Sequence, residues 1–297
     1  MEAYALCIIR HNTYAFLKNI RKEYDSNKCI KSVYEMNTFF YIIIFITGLF
    51  FGSFATLAVY RIPRKEDILI KHSYCPNCNH KLGFFDLFPV FSFLLLGGKC
   101  RYCKSKIRAR YLILELCSGI TFLLLAFSMN ISIYTINIPI GINLIANFIF
   151  ISTLFILSGI DKEKVQIEKK VIIFGYTFEA IYIIYQCILG NINVYQYVIY
   201  LLLFIVILLI DNIILRTRMK NMYYIDILYL TLYIILFLGS YAYVISAIIT
   251  LFAVSIYLII RKNRNSNICI GYFLCICTVI TLIVMNFCVN YQNAFKF

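Results

Sequence analysis

The sequence predicts an all-α polytopic membrane protein, with about eight transmembrane helices and a cytoplasmic zinc-binding loop between helices 1 and 2. Hydrophobic residues make up 62% of its 297 residues and charged residues only 14%, whereas soluble domains are about a quarter charged. Apolar runs of about 20 residues recur along the chain, and each is long enough to cross a bilayer as a helix. Strict alternation of apolar and polar residues is absent, which argues against a transmembrane barrel.

The apolar runs define eight candidate spans, at residues 39–60, 111–129, 138–160, 171–190, 194–215, 225–239, 241–260 and 268–288. The sixth is short for a full crossing. With eight spans, four connections lie on one side of the membrane. Lysine and arginine residues are frequent in all four: there are 11 in 61–110, 4 in 161–170, 3 in 211–225 and 3 in 261–267. The opposite connections hold none, so the positive-inside rule places the charged loops in the cytoplasm.

This charge placement explains the net charge of +14 without nucleic-acid binding. One segment disagrees with it, because residues 1–35 carry six lysine or arginine residues and yet fall on the outer side. Either this extension is translocated against its charge, or translation starts at Met36, directly before the first span. The second alternative is favoured. The extension lacks the apolar core of a signal peptide, so we assign it no targeting role.

Four of the 12 cysteines form two Cys-x-x-Cys pairs in the loop 61–110, namely Cys75, Cys78, Cys100 and Cys103. Two such pairs predict a tetrahedral zinc site, since structural disulfides are not expected in the reducing cytosol. A loop of about 50 residues buries little core, and metal binding supplies the missing folding energy. Four thiolates leave no open position, so the zinc is expected to be structural. The alternative is a redox dithiol, and His80 is a weaker fifth ligand candidate.

Acidic residues near the spans are the candidates for chemistry, because an acid at a helix centre costs roughly 2.5–3.5 kcal/mol on insertion. Asp161 closes the third span and Asp226 opens the sixth, both at the cytoplasmic face. Two adjacent carboxylates can share a proton, so that one activates water and the other polarises a peptide carbonyl. The alternative is that each is a helix-terminal residue touching water. Asp211, which closes the fifth span, is the fallback partner.

The order of several motifs resembles the prepilin peptidases, also called type IV leader peptidases, which belong to the GxGD-type membrane aspartic proteases. The resemblance covers about residues 36–290 and is densest between 48 and 119. Near the end of the chain, both family prolines are lost from the matching segment. In chain order the motifs are Gly48 to Gly52 in the first span, Tyr60-Arg61-Ile62-Pro63, the two cysteine pairs enclosing Asp86-Leu-Phe-Pro89-Val, Ile107-Arg-Ala-Arg110-Tyr111 with Glu115 and Gly119, and Ile268-Cys-Ile-Gly271-Tyr-Phe273-Leu.

The resemblance implies that Asp161 and Asp226 are the two catalytic aspartates. Asp161 begins a loop after a span, as the first family aspartate does, although Glu168 stands where the family has proline. Asp226 takes the place of the aspartate in Gly-x-Gly-Asp, with Tyr223 and Ile225 in place of the two glycines. The second motif is therefore divergent.

The resemblance also implies the activity: an aspartic endopeptidase of the bacterial cytoplasmic (inner) membrane, with its active site facing the cytoplasm. Its substrates would be type IV prepilins or pseudopilins. Their short basic leader would be recognised by acidic groups such as Glu66, Asp67 or Asp86, or by its shape. The family often also methylates the new N-terminus with S-adenosylmethionine, and this cofactor rests on resemblance alone. The alternatives are an inactive homologue acting as a pilus or secretion assembly factor, and a transporter or channel.

The chain is accordingly divided into four parts. Residues 1–35 are the N-terminal extension, and residues 36–129 hold the first two helices with the zinc loop. Residues 130–290 form the membrane aspartic peptidase domain, and residues 291–297 are a C-terminal tail. The sequence leaves open which prepilin is cleaved and the oligomeric state.

Overall fold

The computed structural model describes residues 22–68, 72–190, 194–202, 205, 222–239, 242, 245–250, 252–253 and 269–294. Over these residues the chain is helical and forms no strand, apart from two isolated β-bridges in the zinc loop. Short 3₁₀ helices cover Ile62–Arg64 and Phe84–Asp86. The α-helices are α1 Lys22–Arg61, α2 Phe91–Leu95, α3 Arg110–Ser128, α4 Ile138–Lys164, α5 Lys169–Ile188, α6 Met222–Leu238 and α7 Ile270–Ala294.

Five helices of the described part are long and apolar enough to cross a membrane, so the chain is a multi-pass membrane protein. They are Val33–Arg64, Arg110–Ser128, Ile138–Lys164, Lys169–Ile188 and Ile270–Val289. These helices correspond to the first four predicted spans and the eighth. The sixth predicted span is a shorter apolar helix, Ile225–Leu238. Asp211 lies outside the described residues, as do large parts of the predicted spans 194–215 and 241–260. The count of eight spans therefore stays a prediction.

Two helices extend beyond the apolar runs that predicted them. Within the described residues α1 already runs from Lys22, well before the predicted span start at residue 39, because no glycine or proline interrupts the polar residues that precede the apolar run. α4 continues to Lys164 and ends where Val165 adopts a left-handed backbone with φ of 52°. Hydropathy marks where a helix enters lipid, whereas the helix ends where its hydrogen-bonding pattern is broken. Asp161 therefore lies inside α4 rather than at the start of a loop.

Glycines bring α1 and α3 into backbone contact. A Cβ atom added to Gly48 would lie 2.8 Å from the Cα atom of Gly119, and one added to Gly52 would lie 2.8 Å from the Cα atom of Glu115. Small residues four apart on one helix face allow this close approach in membranes, where packing rather than water exclusion drives helix association. The zinc loop is thereby fixed at both of its ends by one tightly packed helix pair.

Helix α4 is the centre of the bundle. It packs on α3 through Phe148, whose ring is stacked on Phe122 with centroids 4.1 Å apart. On α6 it contacts Phe237 through a stacked ring, and the hydroxyls of Thr153 and Tyr233 lie 2.7 Å apart. At its C-terminal end, α4 carries Asp161 into the space between α6 and α7. The central packing of α4 thus determines where that carboxylate lies.

We predict that Gly52→Val lowers the stability of the bundle. The added methyl groups would have to displace α3 from Glu115, and overpacking of this kind costs about 1–3 kcal/mol. Thermal unfolding of the detergent-solubilised protein measures the effect. Gly141→Val is the matched control, because Gly141 is also helical and a Cβ atom there meets no atom within 4 Å. Equal melting temperatures for the two variants would contradict the close packing of α1 on α3.

Candidate active site and metal centre

The four loop cysteines converge on one point. All four are free thiols, and their Sγ atoms lie within 4.8 Å of one another. The Sγ atoms of Cys75 and Cys103 are 3.8 Å apart. A tetrahedral ion with Zn–S bonds of about 2.3 Å places its sulfur ligands about 3.8 Å apart. The cluster therefore fits a metal such as zinc, and His80 is not part of it, since its ring instead lies against that of Tyr102.

Each cysteine pair lies in a knuckle with the same backbone structure. In the first, the Cys75 N–H donates to the carbonyl of His80 and the Asn79 N–H donates to the carbonyl of Cys75, at 3.0 and 2.8 Å. Asn79 has a positive φ of 56°, which turns the chain back. The second knuckle repeats both hydrogen bonds and the positive φ at Cys100, Lys104 and Ser105. Two copies of one turn thus aim two thiols each at the same point.

The thiols of this cluster differ in their acidity. Hydrogen bonds from the Ser105 hydroxyl and backbone lower the pKa of Cys103 to about 6. A backbone hydrogen bond at His80 favours the Cys78 thiolate, but desolvation and the nearby thiols of Cys103 and Cys75 outweigh it and raise the pKa of Cys78 to about 11. Negative charge on one sulfur therefore disfavours negative charge on the next. A divalent cation removes this conflict, because it binds thiolates and releases their protons.

Three buried or half-buried polar side chains anchor the zinc loop. Arg61, only 2% exposed, donates to the backbone carbonyls of residues 67 and 72, at 3.0 and 2.9 Å. Asp86 accepts a 2.6 Å hydrogen bond from the Nε atom of Arg101 on the second knuckle. Glu115 of α3 accepts the backbone N–H of Val90 at 2.8 Å. Asp86, an expected contact for the substrate leader, is therefore already engaged within the loop.

Asp161 is a fully buried carboxylate between three helices. From α6, the hydroxyl of Tyr223 donates to its two oxygens, at 2.8 and 3.0 Å. From α7, the backbone N–H of Tyr272 donates to Oδ2 at 2.8 Å. Gly271 permits this approach, since a Cβ atom there would lie 3.1 Å from Oδ2. With no exposed surface, Asp161 is not a helix-end residue touching water.

Asp226 lies one helical turn after Tyr223 on α6. Its residue is 9% exposed, and its Oδ1 atom lies 3.6 Å from the Nζ atom of Lys169 at the start of α5. Residues three apart share a helix face, so the side chain that holds Asp161 and the Asp226 side chain project from the same side of α6. The structure brings both predicted aspartates to this end of the bundle with separate partners. That they share a proton stays a prediction.

An ion pair joins the zinc-loop half of the chain to the aspartate half. Arg110, the first residue of α3, donates to the carboxylate of Glu163 in the last turn of α4. Glu163 is two residues from Asp161. Lys162 lies over the ring of Tyr272, 4.7 Å from its centroid, and so packs beside the backbone donor to Asp161. The end of the bundle that carries the aspartates is therefore also the end that carries the loop.

Sequence reasoning missed Tyr223 as a partner of Asp161 and gave no role to Glu179. The signal for Tyr223 was its place in the divergent motif, three residues before Asp226. Glu179 of α5 is buried, and neither of its carboxylate oxygens has a hydrogen-bond partner in the part of the chain that the structure describes. It lines a mainly apolar cavity of about 270 Å³ with Tyr182 and Tyr233. An acid in the middle of a predicted span was the signal for it.

Comparison with known proteins identifies relatives of part of the chain. Residues 46–129 match the family described as the bacterial peptidase A24 N-terminal domain. This match includes the zinc loop and neither aspartate. No solved structure matches the chain.

Several relatives carry the name prepilin leader peptidase/N-methyltransferase, among them proteins of three bacteria. The Vibrio cholerae protein is 42% identical over 96 residues, which is 29% of this chain and 36% of the relative. The Klebsiella pneumoniae protein is 32% identical over 126 residues (40% and 51%), and the Bacillus subtilis protein is 33% identical over 138 residues (46% and 52%). The chain thus spans about half, or less, of the length of these relatives. The resemblance to the prepilin peptidases that the motifs indicated is confirmed, with residues 46–129 matching the family's N-terminal domain.

Proposed function

We propose that this chain is a membrane aspartic endopeptidase that removes the basic leader from type IV prepilins or pseudopilins. The observation that carries the proposal is the site around Asp161, a buried carboxylate bonded to the helix that presents Asp226 one turn further on. An acid in this position needs a reason, because burying a carboxylate in a membrane protein is costly. The names of the relatives supply the reaction and the substrate class.

In the proposed mechanism, the two carboxylates divide the work of peptide hydrolysis. One is ionised and takes a proton from a water molecule, whose oxygen then attacks the scissile carbonyl carbon. The other is protonated and gives its proton to the leaving amine as the C–N bond breaks. The pair is restored when the proton taken from water passes from the first carboxyl group to the second. The hydroxyl of Tyr223 and the Tyr272 N–H hold Asp161 in a fixed orientation during these steps. The zinc, when bound by its four cysteines, supplies folding energy to the loop and no part of this chemistry.

We place the site at the cytoplasmic face of the inner membrane, because the positively charged connections lie at the same end as the aspartates. Methylation of the new N-terminus with S-adenosylmethionine is proposed only on the names of the relatives. A cavity of about 470 Å³ lies between the zinc loop and helices α1 and α3, and Arg61 and Glu115 line it. This cavity is a candidate site for the methylation. The division into parts at residue 130 also stays a proposal.

A specific observation supports a second candidate function, that of an inactive homologue in pilus or secretion assembly. Tyr223 stands where the family has glycine, and its hydroxyl bonds both oxygens of Asp161. A side chain there narrows the space in which a substrate backbone could approach the carboxylate. The Tyr223 side chain therefore either positions the Asp161 carboxylate for catalysis or blocks the access of substrate to it. Substitution of Tyr223 distinguishes these two roles.

We predict that Asp161→Asn or Asp226→Asn abolishes cleavage. Either change removes a carboxylate that the mechanism needs as base or acid. The measurement is the size shift of a coexpressed prepilin in membranes, with equal amounts of each variant in the membrane fraction. EDTA should spare the activity of the wild-type chain, because no metal takes part in hydrolysis. Full cleavage by Asp161→Asn would rule out this assignment.

For Tyr223→Phe we expect cleavage to slow by about 10- to 100-fold, since a hydrogen bond to a charged group is worth about 1.5–3 kcal/mol. Tyr176→Phe is the matched control, because the Tyr176 hydroxyl also bonds α6, at the Tyr229 carbonyl 2.7 Å away, but touches neither aspartate. Initial rates of prepilin cleavage by purified protein measure the difference. Faster cleavage by Tyr223→Phe or Tyr223→Gly than by the wild type would show that this side chain blocks the site.

One zinc ion per chain is expected in the purified protein, and none in Cys100→Ser. The buried Cys100 contributes a ligand that serine replaces poorly, since zinc prefers thiolate sulfur. Cys117→Ser is the control, because this cysteine lies exposed on α3 away from the cluster. Elemental analysis by mass spectrometry gives the metal content. Zinc retained at full occupancy in Cys100→Ser would refute the four-cysteine site.

A further inference from the structure

An apolar segment, defined as residues 85–96, separates the two zinc knuckles. Asp86 and Ser92 are its only polar residues. One face of the segment lines the loop cavity through residues such as Leu87 and Phe93. The other face, here named the bare face, is exposed, since Leu94 is 63% exposed and Leu95 85% exposed. Neither the zinc site nor the proposed peptidase reaction accounts for so much exposed apolar surface in a loop.

Contacts with two spanning helices set the depth of this segment. The ring of Phe88 packs edge-on against Phe50 of α1, with centroids 5.6 Å apart. Phe50 lies eleven residues before Arg61, which is about 16 Å along a helix axis. Val90 is bonded to Glu115 of α3, which lies five residues, or about 8 Å, inside Arg110. The segment therefore descends beside the spanning helices, below the level of their charged ends.

The backbone of the segment is suited to an environment without water. Lipid tolerates a spanning or inserted chain only where its N–H and C=O groups are bonded. The N–H group of Val90 would be unpaired in a short helical turn, and the carboxylate of Glu115 accepts it. Val90 holds a positive φ of 61° to make this contact, which is unusual for a β-branched residue. Other N–H groups along the turn have backbone acceptors, namely those of Phe91, Ser92, Leu94 and Leu96.

Charged residues lie on both sides of the segment in the sequence, whereas its bare face carries none. Lys81 precedes it and Lys99 follows it, both exposed, and the second knuckle adds exposed basic residues at Arg101, Lys104 and Lys106. Lysine and arginine at the edge of an inserted apolar segment meet the negative headgroups of anionic lipids. This arrangement complements a lipid leaflet in both charge and hydropathy.

We propose that residues 85–96 insert as a re-entrant segment into the leaflet on the zinc-loop side, with Phe91, Leu94 and Leu95 in contact with acyl chains. Lys81 and Lys99, which flank the segment, then lie among the headgroups, and the two knuckles project from the membrane surface into the aqueous phase. The occupant of the bare face is lipid, because Phe91 packs against Phe88 and Phe88 against the exposed Phe50 of α1, so that the face continues the exposed apolar surface of that helix. Insertion holds the loop cavity directly at the membrane surface. The proposal does not depend on the peptidase activity.

The absence of tryptophan from the chain makes a sharp test available. Leu95→Trp introduces a single tryptophan on the bare face, and Phe91→Trp provides a second position. Ile113→Trp, on the exposed face of α3, is the control for a lipid-facing site, and Tyr102→Trp, on the second knuckle, is the control for an aqueous site. Each full-length variant is reconstituted in vesicles of phosphatidylcholine and phosphatidylglycerol. Unchanged melting temperatures in detergent establish that each variant is folded.

Two quenchers of tryptophan fluorescence decide the outcome. We expect brominated phosphatidylcholine to quench Leu95→Trp and Phe91→Trp to an extent similar to Ile113→Trp, and iodide to quench them far less than Tyr102→Trp. Quenching by iodide and not by brominated lipid would overturn the proposal, because the face would then be in water. Protection from both quenchers would also overturn it, since protein, either a second copy or a partner, would then cover the face.

Discussion

The hydrogen bonds that Asp161 receives from α6 and α7 are the interaction on which the proposed active site depends. A carboxylate with no exposed surface must be bonded to remain in a membrane protein, and here the bonds come from two other helices. Asp161 can reach both only because α4 runs through the centre of the bundle and Gly271 leaves room beside it. The same three-helix contact brings Asp226 to this end of the molecule. Asp161 is therefore important both for the packing of the three helices and for the proposed chemistry.

The zinc loop is held by a different principle, the pairing of local turns. Each knuckle closes through hydrogen bonds within six residues, and the two knuckles meet at the metal position and where the ring of His80 lies against that of Tyr102. The segment between them has backbone hydrogen bonds of its own and is in addition bonded to α3 through Glu115. Two membrane acids, Asp161 and Glu115, thus do the same structural work, since each accepts backbone N–H groups that lie outside its own helix.

The sequence predicted what depends on spacing and composition. Two Cys-x-x-Cys pairs indicated a four-thiol cluster, because local turns bring such pairs together whatever the rest of the chain does. Apolar runs located α3, α4 and α5 to within a few residues. The polar first part of α1 and the last turn of α4 extend beyond the predicted spans, because hydropathy does not report helix ends. The role of Tyr223 could not be predicted either, since its partner Asp161 is 62 residues away and the contact exists only once α4, α6 and α7 are packed.

Divergence from a family motif is informative when the residue that replaces the usual one makes a specific contact. The family pattern has a glycine at this position, whereas here Tyr223 supplies a hydroxyl to both oxygens of Asp161. Loss of the glycine therefore does not simply degrade the site but changes how Asp161 is held. An apolar residue would cost less to bury at this position than a carboxylate, and yet the chain has a fully buried aspartate there with three hydrogen-bond contacts. The buried acid together with its tyrosine partner favours the proposal of a working site over that of an inactive homologue.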